Sequence, residues 1–204
     1  SSVTFIGPGA FDSAYLTSIE VETNNKTYDS RNNCNAIIET ATNTLIIGCQ
    51  CTIIPNNITS IGNNAFDGCS SLNRIIIPHS VKKIGEYAFY QCKALDVTFG
   101  KGLEKIGQRA FEECKALKNI KLAEGLESIG ERAFYNCAGA TYVSLPSTLT
   151  NIGTEAFKYC GGEVYVDCVL ADGSSSHNTT FSGNNFTKVE AGENASLGDY
   201  CFYS

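Results

Sequence analysis

The sequence predicts an α/β solenoid, a chain wound into stacked coils of about 23 residues with a parallel β-sheet and short helical turns. Three observations predict it. The segment I-G-x-x-A-F-x-x-C occurs five times in register, starting at Ile61, Ile84, Ile106, Ile129 and Ile152, with spacings of 23, 22, 23 and 23 residues. Between copies runs a short block in which apolar residues alternate with polar ones, the pattern of a strand with one buried face. Each block leads into a turn at Pro78, Gly100, Gly125 or Pro146.

Taken from the N-terminus, Ile6-Gly7-Pro8-Gly9-Ala10-Phe11 is a weaker copy, with Ala14 where Cys would stand and Leu16, Ile19 and Val21 following. Residues 22–58 interrupt the period. Thr23 to Asn35 is Asn-rich and turn-like. Ala36 to Thr40 and Thr44 to Gly48 then read as an inserted β-hairpin closed by Ala41-Thr42-Asn43. Thr52-Ile53-Ile54-Pro55 resumes the repeat strand.

In the regular coils the strand blocks are Leu72-x-x-Ile75-x-Ile77, the one-residue-shorter Leu95-x-Val97-x-Phe99, Leu117-x-x-Ile120-x-Leu122, Val143-x-Leu145 and Val164-x-Val166. Residues 168–185 form a loop-rich degenerate repeat containing the exposed stretch Asp172 to Asn178. Leu197-Gly198-Asp199-Tyr200-Cys201-Phe202 is a last copy with Cys in place of Ala. The motif phenylalanines 11, 66, 89, 111, 134, 157, 181 and 202 predict about eight coils in a single domain over 1–204.

The period dictates the energetics. One such unit cannot bury its own apolar side chains, so each coil depends on its neighbours. Stacking at the β-sheet spacing of about 4.8 Å places equivalent residues over one another. Phe becomes an aromatic spine and Ile/Leu fill columns. The Gly after Ile supplies a backbone conformation or a close approach that a side chain would block. Gly-x-x-Ala-Phe fits one short helical turn.

Composition narrows the function classes. The net charge of −6 argues against a generic nucleic-acid binder, although 11 of the 15 Lys/Arg lie between Arg74 and Arg132. No run of about 18 apolar residues offers a membrane span. The chain has no Met, even at position 1, as expected of a mature or trimmed fragment. Ten cysteines suggest a disulfide framework. However, Cys69, Cys92, Cys114, Cys137 and Cys160 share one repeat position, which predicts an inward column of reduced thiols packed as small hydrophobes. A metal site is not expected there, because stacked thiols do not converge on a point. Pairing of Cys34 with Cys49 or Cys51 stays open, as do the states of Cys168 and Cys201.

The full segment Ile61 to Gly85 resembles the BspA-type leucine-rich repeat, and Tyr28 to Ile38 resembles an Asn-rich insert of such proteins. The resemblance implies a right-handed parallel solenoid at a bacterial cell surface or outside the cell. Adhesion to host matrix proteins or other cells is its implied role, with no catalytic residues and no cofactor.

No catalytic grouping is legible. His79 and His177 stand apart from any Ser/His/Asp or Cys/His set. Asp29-Ser30-Arg31-Asn32-Asn33 offers oxygen ligands without EF-hand spacing, and reads as a turn. The sequons at Asn57 and Asn178 matter only in a eukaryotic secretory pathway. The outward strand positions are therefore the expected contact residues: Arg74, Ile76, Thr98, Lys118, Lys121, Tyr142, Ser144 and Tyr165. Their mix of Tyr, Ile and cations suits a protein partner, with a glycan as the other class. A structural spacer in a larger surface protein is the alternative role.

Overall fold

The computed structural model describes residues 3–7, 10–11, 16–170 and 180–198. Its insert holds β1 (Tyr28–Asp29), β2 (Ala36–Glu39) and β3 (Thr44–Gly48). The coils then alternate a two-residue strand with a longer one. They carry β4 (Ser60–Ile61), β5 (Arg74–Ile76), β6 (Lys83–Ile84), β7 (Asp96–Thr98), β8 (Lys105–Ile106), β9 (Asn119–Lys121) and β10 (Ser128–Ile129). β11 (Tyr142–Leu145), β12 (Asn151–Ile152), β13 (Gly161–Val166), β14 (Val169–Leu170), β15 (Asn185–Ala191) and β16 (Ser196–Leu197) follow.

The short strands build one face of the solenoid, an eight-stranded sheet in the order β1-β2-β3-β4-β6-β8-β10-β12. Its first two pairings are antiparallel, the inserted hairpin, and β3 then pairs in parallel with β4 to start the coils. The longer strands build a second face in two blocks, β5-β7 and β9-β11-β13-β15. The gap between β7 and β9 falls at the coil that is one residue short between Leu95 and Val97. There Phe99 leans inward and meets Phe111 and Phe134 edge-on, at 5.4 and 6.2 Å.

The third face is the repeated motif itself, and here the expected short helical turns are replaced by something else. Among the described residues the one helical element is a 3-10 turn at Arg31–Asn33 in the insert. Each of the five regular motifs instead has two residues with positive φ, four apart, such as Tyr87 and Gln91, Arg109 and Glu113, or Arg132 and Asn136. These left-handed residues interrupt any i to i−4 bonding and turn alternate amides along the solenoid axis. Thus Tyr87, Phe89 and Gln91 N–H donate to the carbonyls of Gln108, Ala110 and Glu112 one coil on, at 2.7–3.0 Å. The same ladder repeats from Arg109, Phe111 and Glu113 to the coil beyond. The chain is a parallel-strand β-solenoid, and its third ladder substitutes for helix.

The interior follows the columns. Phe66, Phe89, Phe111, Phe134, Phe157 and Phe181 are fully buried. Their rings stack with centroids 4.8–5.3 Å apart. That spacing is set by the distance between paired backbones. Among the described residues the spine holds six of the eight expected rings. Phe11 is 41% exposed at the N-terminal end, and Phe202 lies outside the described residues.

The cysteine column has a reason beyond size. Cys92, Cys114, Cys137 and Cys160 each donate S–H to the carbonyl of the motif Phe one coil earlier, at 3.1–3.2 Å. A small, weak donor with little desolvation cost suits a dry column. The motif Gly serves close approach. A Cβ at Gly130 would lie 2.4 Å from Gln108 N, and one at Gly153 would lie 2.2 Å from Glu131 N.

Candidate interaction surface

On the longer-strand face, side chains alternate in and out with period two. The inward set, Ile75, Val97, Ile120, Val143 and Val164, is buried. The outward set forms two rows in each block. In the first block Arg74 lies opposite Asp96 and Ile76 opposite Thr98. In the second, Asn119, Tyr142, Glu163 and Lys188 form one row, and Lys121, Ser144, Tyr165 and Glu190 form the other.

Seven of the eight expected contact residues thus lie on this face as strand residues: Arg74, Ile76, Thr98, Lys121, Tyr142, Ser144 and Tyr165. Lys118 does not. It is exposed but precedes β9, where its carbonyl accepts the amides of Thr141 and Tyr142, and Asn119 occupies the row. The row is also not continuous, because β7 and β9 are unpaired. Asp96, Asn119, Glu163, Lys188 and Glu190 were missed by the sequence reading. The positions on either side of Val97, Ile120, Val164 and Val189 would have found them.

The electrostatics of this face are local. Lys121 Nζ lies 5.5 Å from the centre of the Tyr142 ring, a cation over a π face. Lys188 pairs with Glu190 at 2.5 Å, both about half exposed, which contributes little. The charge of Asp167 raises the pKa of the Tyr165 phenol above its ordinary value.

At the start of the face is a groove of about 460 Å³, lined by Thr52, Ile53, Ile54, Asn56, Arg74, Ile75, Ile76 and Pro78. Ile53 is 74% exposed and Ile76 is 56% exposed. The groove exists because the insert holds residues 52–53 towards itself. Ile53 N–H donates to Cys34 O at 3.0 Å, and Thr52 Oγ1 donates to Asn35 O at 2.6 Å. Asn56 had no signal in the repeat pattern, whereas Ile53 stands at the register position of Ile76 and was missed by the sequence reading.

The motif face is chemically different. Arg109, Arg132 and Lys158 lie over Tyr87, Tyr135 and Tyr159, at 5.0–5.6 Å. Glu155 takes Arg132 at 2.6 Å and Lys158 at 2.5 Å. Partial burial pushes the Glu155 carboxyl up, but the bonds from Lys158 and Arg132 outweigh it and leave the pKa below its ordinary value. Glu112 goes the other way: burial raises it despite Arg109 and Arg132 nearby. The cations of this face already serve its own rings and carboxylates.

No described group is arranged for metal or nucleophilic chemistry. The nine described cysteines are unpaired, so the Cys34 bridge to Cys49 or Cys51 is not formed, and Cys201 lies outside the described residues. Cys34 and Cys49 instead donate to Ala36 O and Asn35 O. Burial pushes Cys69 and Cys168 up to about 11, and Cys92, Cys114 and Cys137 are raised as well. They are therefore thiols, not thiolate nucleophiles, at neutral pH. Asp29 is bound by Arg31, and among the described residues no His/Cys/Asp/Glu group could hold a metal ion. His79 is exposed and accepts the Lys101 amide, while His177 lies outside the described residues. No described helix is long and apolar enough to cross a membrane.

Comparison with known proteins places this scaffold. By fold the chain is similar to a leucine-rich repeat protein of T. pallidum, with TM-score 0.63, 24% identity and 90% of each chain covered. A leucine-rich repeat protein from Bacteroides ovatus matches 87% of this chain and 49% of its own, with TM-score 0.57 and 27% identity. A leucine rich cell surface protein from Faecalibacterium prausnitzii matches 93% of this chain and 55% of its own, with TM-score 0.56 and 19% identity. The chain thus spans about half the length of the latter two. No curated protein matches it by sequence. Residues 46–162 match six copies of the BspA type leucine-rich repeat region. With more than half its length covered by that match, the chain belongs to the BspA-type leucine-rich repeat family.

Proposed function

We propose that this chain is an extracellular or cell-surface binding module that holds a protein partner on its longer-strand face, as an adhesin does. The observation that carries the reading is the contrast between two faces. On the motif face, Arg109, Arg132 and Lys158 cover their own tyrosines and pair with Glu112 and Glu155. On the strand face, Ile53 and Ile76 stand exposed beside the groove, and Arg74 and Lys121, the latter over the Tyr142 ring, pair with no carboxylate among the described residues. Exposed Ile with Tyr and Arg is the composition of interface centres. The rigid stack presents these groups at fixed spacing, which limits the entropy lost on binding.

A cell-surface location agrees with the F. prausnitzii neighbour, a leucine rich cell surface protein, and a host matrix or cell-surface protein is the partner class proposed, with glycan as the second. The test is saturable binding of the purified chain to a panel of immobilised matrix proteins and to a glycan array. Combined Lys121→Glu and Tyr142→Ala substitution is expected to weaken binding by about tenfold or more, the cost of one hot spot. Absence of saturable binding to either panel would favour the spacer role.

A further inference from the structure

We infer that the groove between residues 52–56 and β5 is a strand-addition site for an extended peptide of a partner protein, one carrying an acidic side chain beside an aliphatic one. The inference deepens the proposed strand-face reading and rests on it.

Three observations meet in the groove. The first is backbone. Asn73 O accepts the Asp96 amide and Ile77 N–H donates to Thr98 O, both at 2.9 Å, so residues 73, 75 and 77 turn their polar groups towards β7. Alternate residues of a parallel strand turn theirs to the opposite edge. The N–H and C=O of Arg74 and Ile76 therefore face the groove, and among the described residues no backbone hydrogen bond joins residues 52–56 to β5. β11 and β13 are paired on both sides, while β7 and β9 are open towards each other and β15 on its outer side; of these edges, that of β5 is the one that lines the groove. An open edge of this kind is a template for another strand.

The second is apolar surface. Ile53 and Ile76 flank the opening, and Ile54, Ile75 and Pro78 lie buried along it. The volume of about 460 Å³ lies within the range of about 300–1,000 Å³ typical of ligand sites. A strand laid here would place alternate side chains against this wall, so an aliphatic residue is the match.

The third is charge. Arg74 lines the groove and makes no ion pair among the described residues, with Asp96 opposite it on the far side of β5. A guanidinium beside open backbone groups selects a carboxylate, which it can hold through two parallel bonds.

The probe is a random linear-peptide phage library selected on the immobilised full chain, with enriched peptides then measured by fluorescence anisotropy. Enriched peptides are expected to carry Asp or Glu next to an aliphatic residue. Ile76→Asp and Arg74→Glu, both on exposed side chains, are each expected to weaken binding by about tenfold. Asp96→Asn is expected to strengthen it. Amide exchange by NMR should show Arg74 and Ile76 fast in the free chain and protected in the complex. Methylation of alternate peptide amides should abolish binding.

Peptides that bind while the Arg74 and Ile76 amides stay unprotected would overturn the inference. So would a dimer of the chain that Ile76→Asp dissolves, or enrichment without acidic residues. Peptides displaced by Lys121→Glu and untouched by Ile76→Asp would sink the groove and leave the strand-face reading standing. No peptide, matrix protein or glycan bound at all would sink both.

Discussion

Replacing Phe111 tests whether the aromatic column is what joins the coils. Phe111 is fully buried between Phe89 and Phe134, with centroids at 4.9 and 5.2 Å, and its edge meets Phe99 at 5.4 Å. Truncation of a buried Phe costs about 3–5 kcal/mol. Phe111→Ala belongs at the upper end, because the short-strand and motif ladders hold its coil to both neighbours, with β9 also paired to β11, and resist collapse into the cavity. Phe111→Leu keeps most of the volume and loses two stacked pairs, each contributing about 0.5–1.5 kcal/mol, for a total of about 1–3 kcal/mol. Phe11→Ala, at a ring 41% exposed, is expected to cost less than about 1 kcal/mol. Urea unfolding followed by circular dichroism gives all three values against the wild type. Equal costs for Phe111→Ala and Phe11→Ala would refute the six-ring spine. A Phe111→Leu variant as stable as wild type would show that volume, and not stacking, holds the column.

Four further outcomes follow from the same geometry. Gly130→Ala drives a methyl to 2.4 Å from the Gln108 amide nitrogen, so thermal unfolding should show a loss of about 1–3 kcal/mol, and an unchanged melting temperature would contradict the close approach. Glu112 has its folded pKa raised by burial, so it favours the folded state at low pH and that contribution is lost as pH rises through the folded pKa. Glu112→Gln should therefore raise the melting temperature at pH 7 and give no gain in acid, and the reverse pattern would refute the assignment. Glu155, with a lowered pKa, contributes stability that is lost as pH falls through its folded value, so Glu155→Gln should destabilise at pH 7 and not in acid. Thiol mapping by mass spectrometry should label exposed Cys51 in the native chain and leave Cys92, Cys114 and Cys137 unlabelled until denaturation. Early labelling of the column would contradict its burial.

The coil was legible in the sequence because every column is read several times. Ile84, Ala88, Phe89 and Cys92 recur at a fixed offset, and a recurring apolar position at fixed period has one physical reading, the interior of a stack. The helical turns were misread for a local reason. Gly-x-x-Ala-Phe has the spacing of one helical turn, and nothing within nine residues reveals that Tyr87 and Gln91 adopt positive φ. That conformation is held by bonds to Gln108 and Glu112 in the next coil, and no local pattern encodes it. Lys118 was misplaced by parity: it lies two residues before Ile120 and so on the same parity as that buried residue, and counting one position from Ile120 assigns Asn119 to the row. The groove was illegible altogether. It depends on the insert drawing Ile53 to Cys34, a long-range contact between a repeat and an interruption.

The central claim is that the partner is held by the strand face and not by the motif face. The most direct measurement compares two surface variants for binding to whichever immobilised matrix protein or glycan the wild-type chain recognises. One carries Ile76→Asp with Lys121→Glu on the strand face. The other carries Arg132→Ala with Tyr135→Ala on the motif face, and thermal unfolding confirms that each is folded. The account predicts loss of at least about tenfold in affinity for the first and wild-type affinity for the second. Loss confined to the second would contradict it.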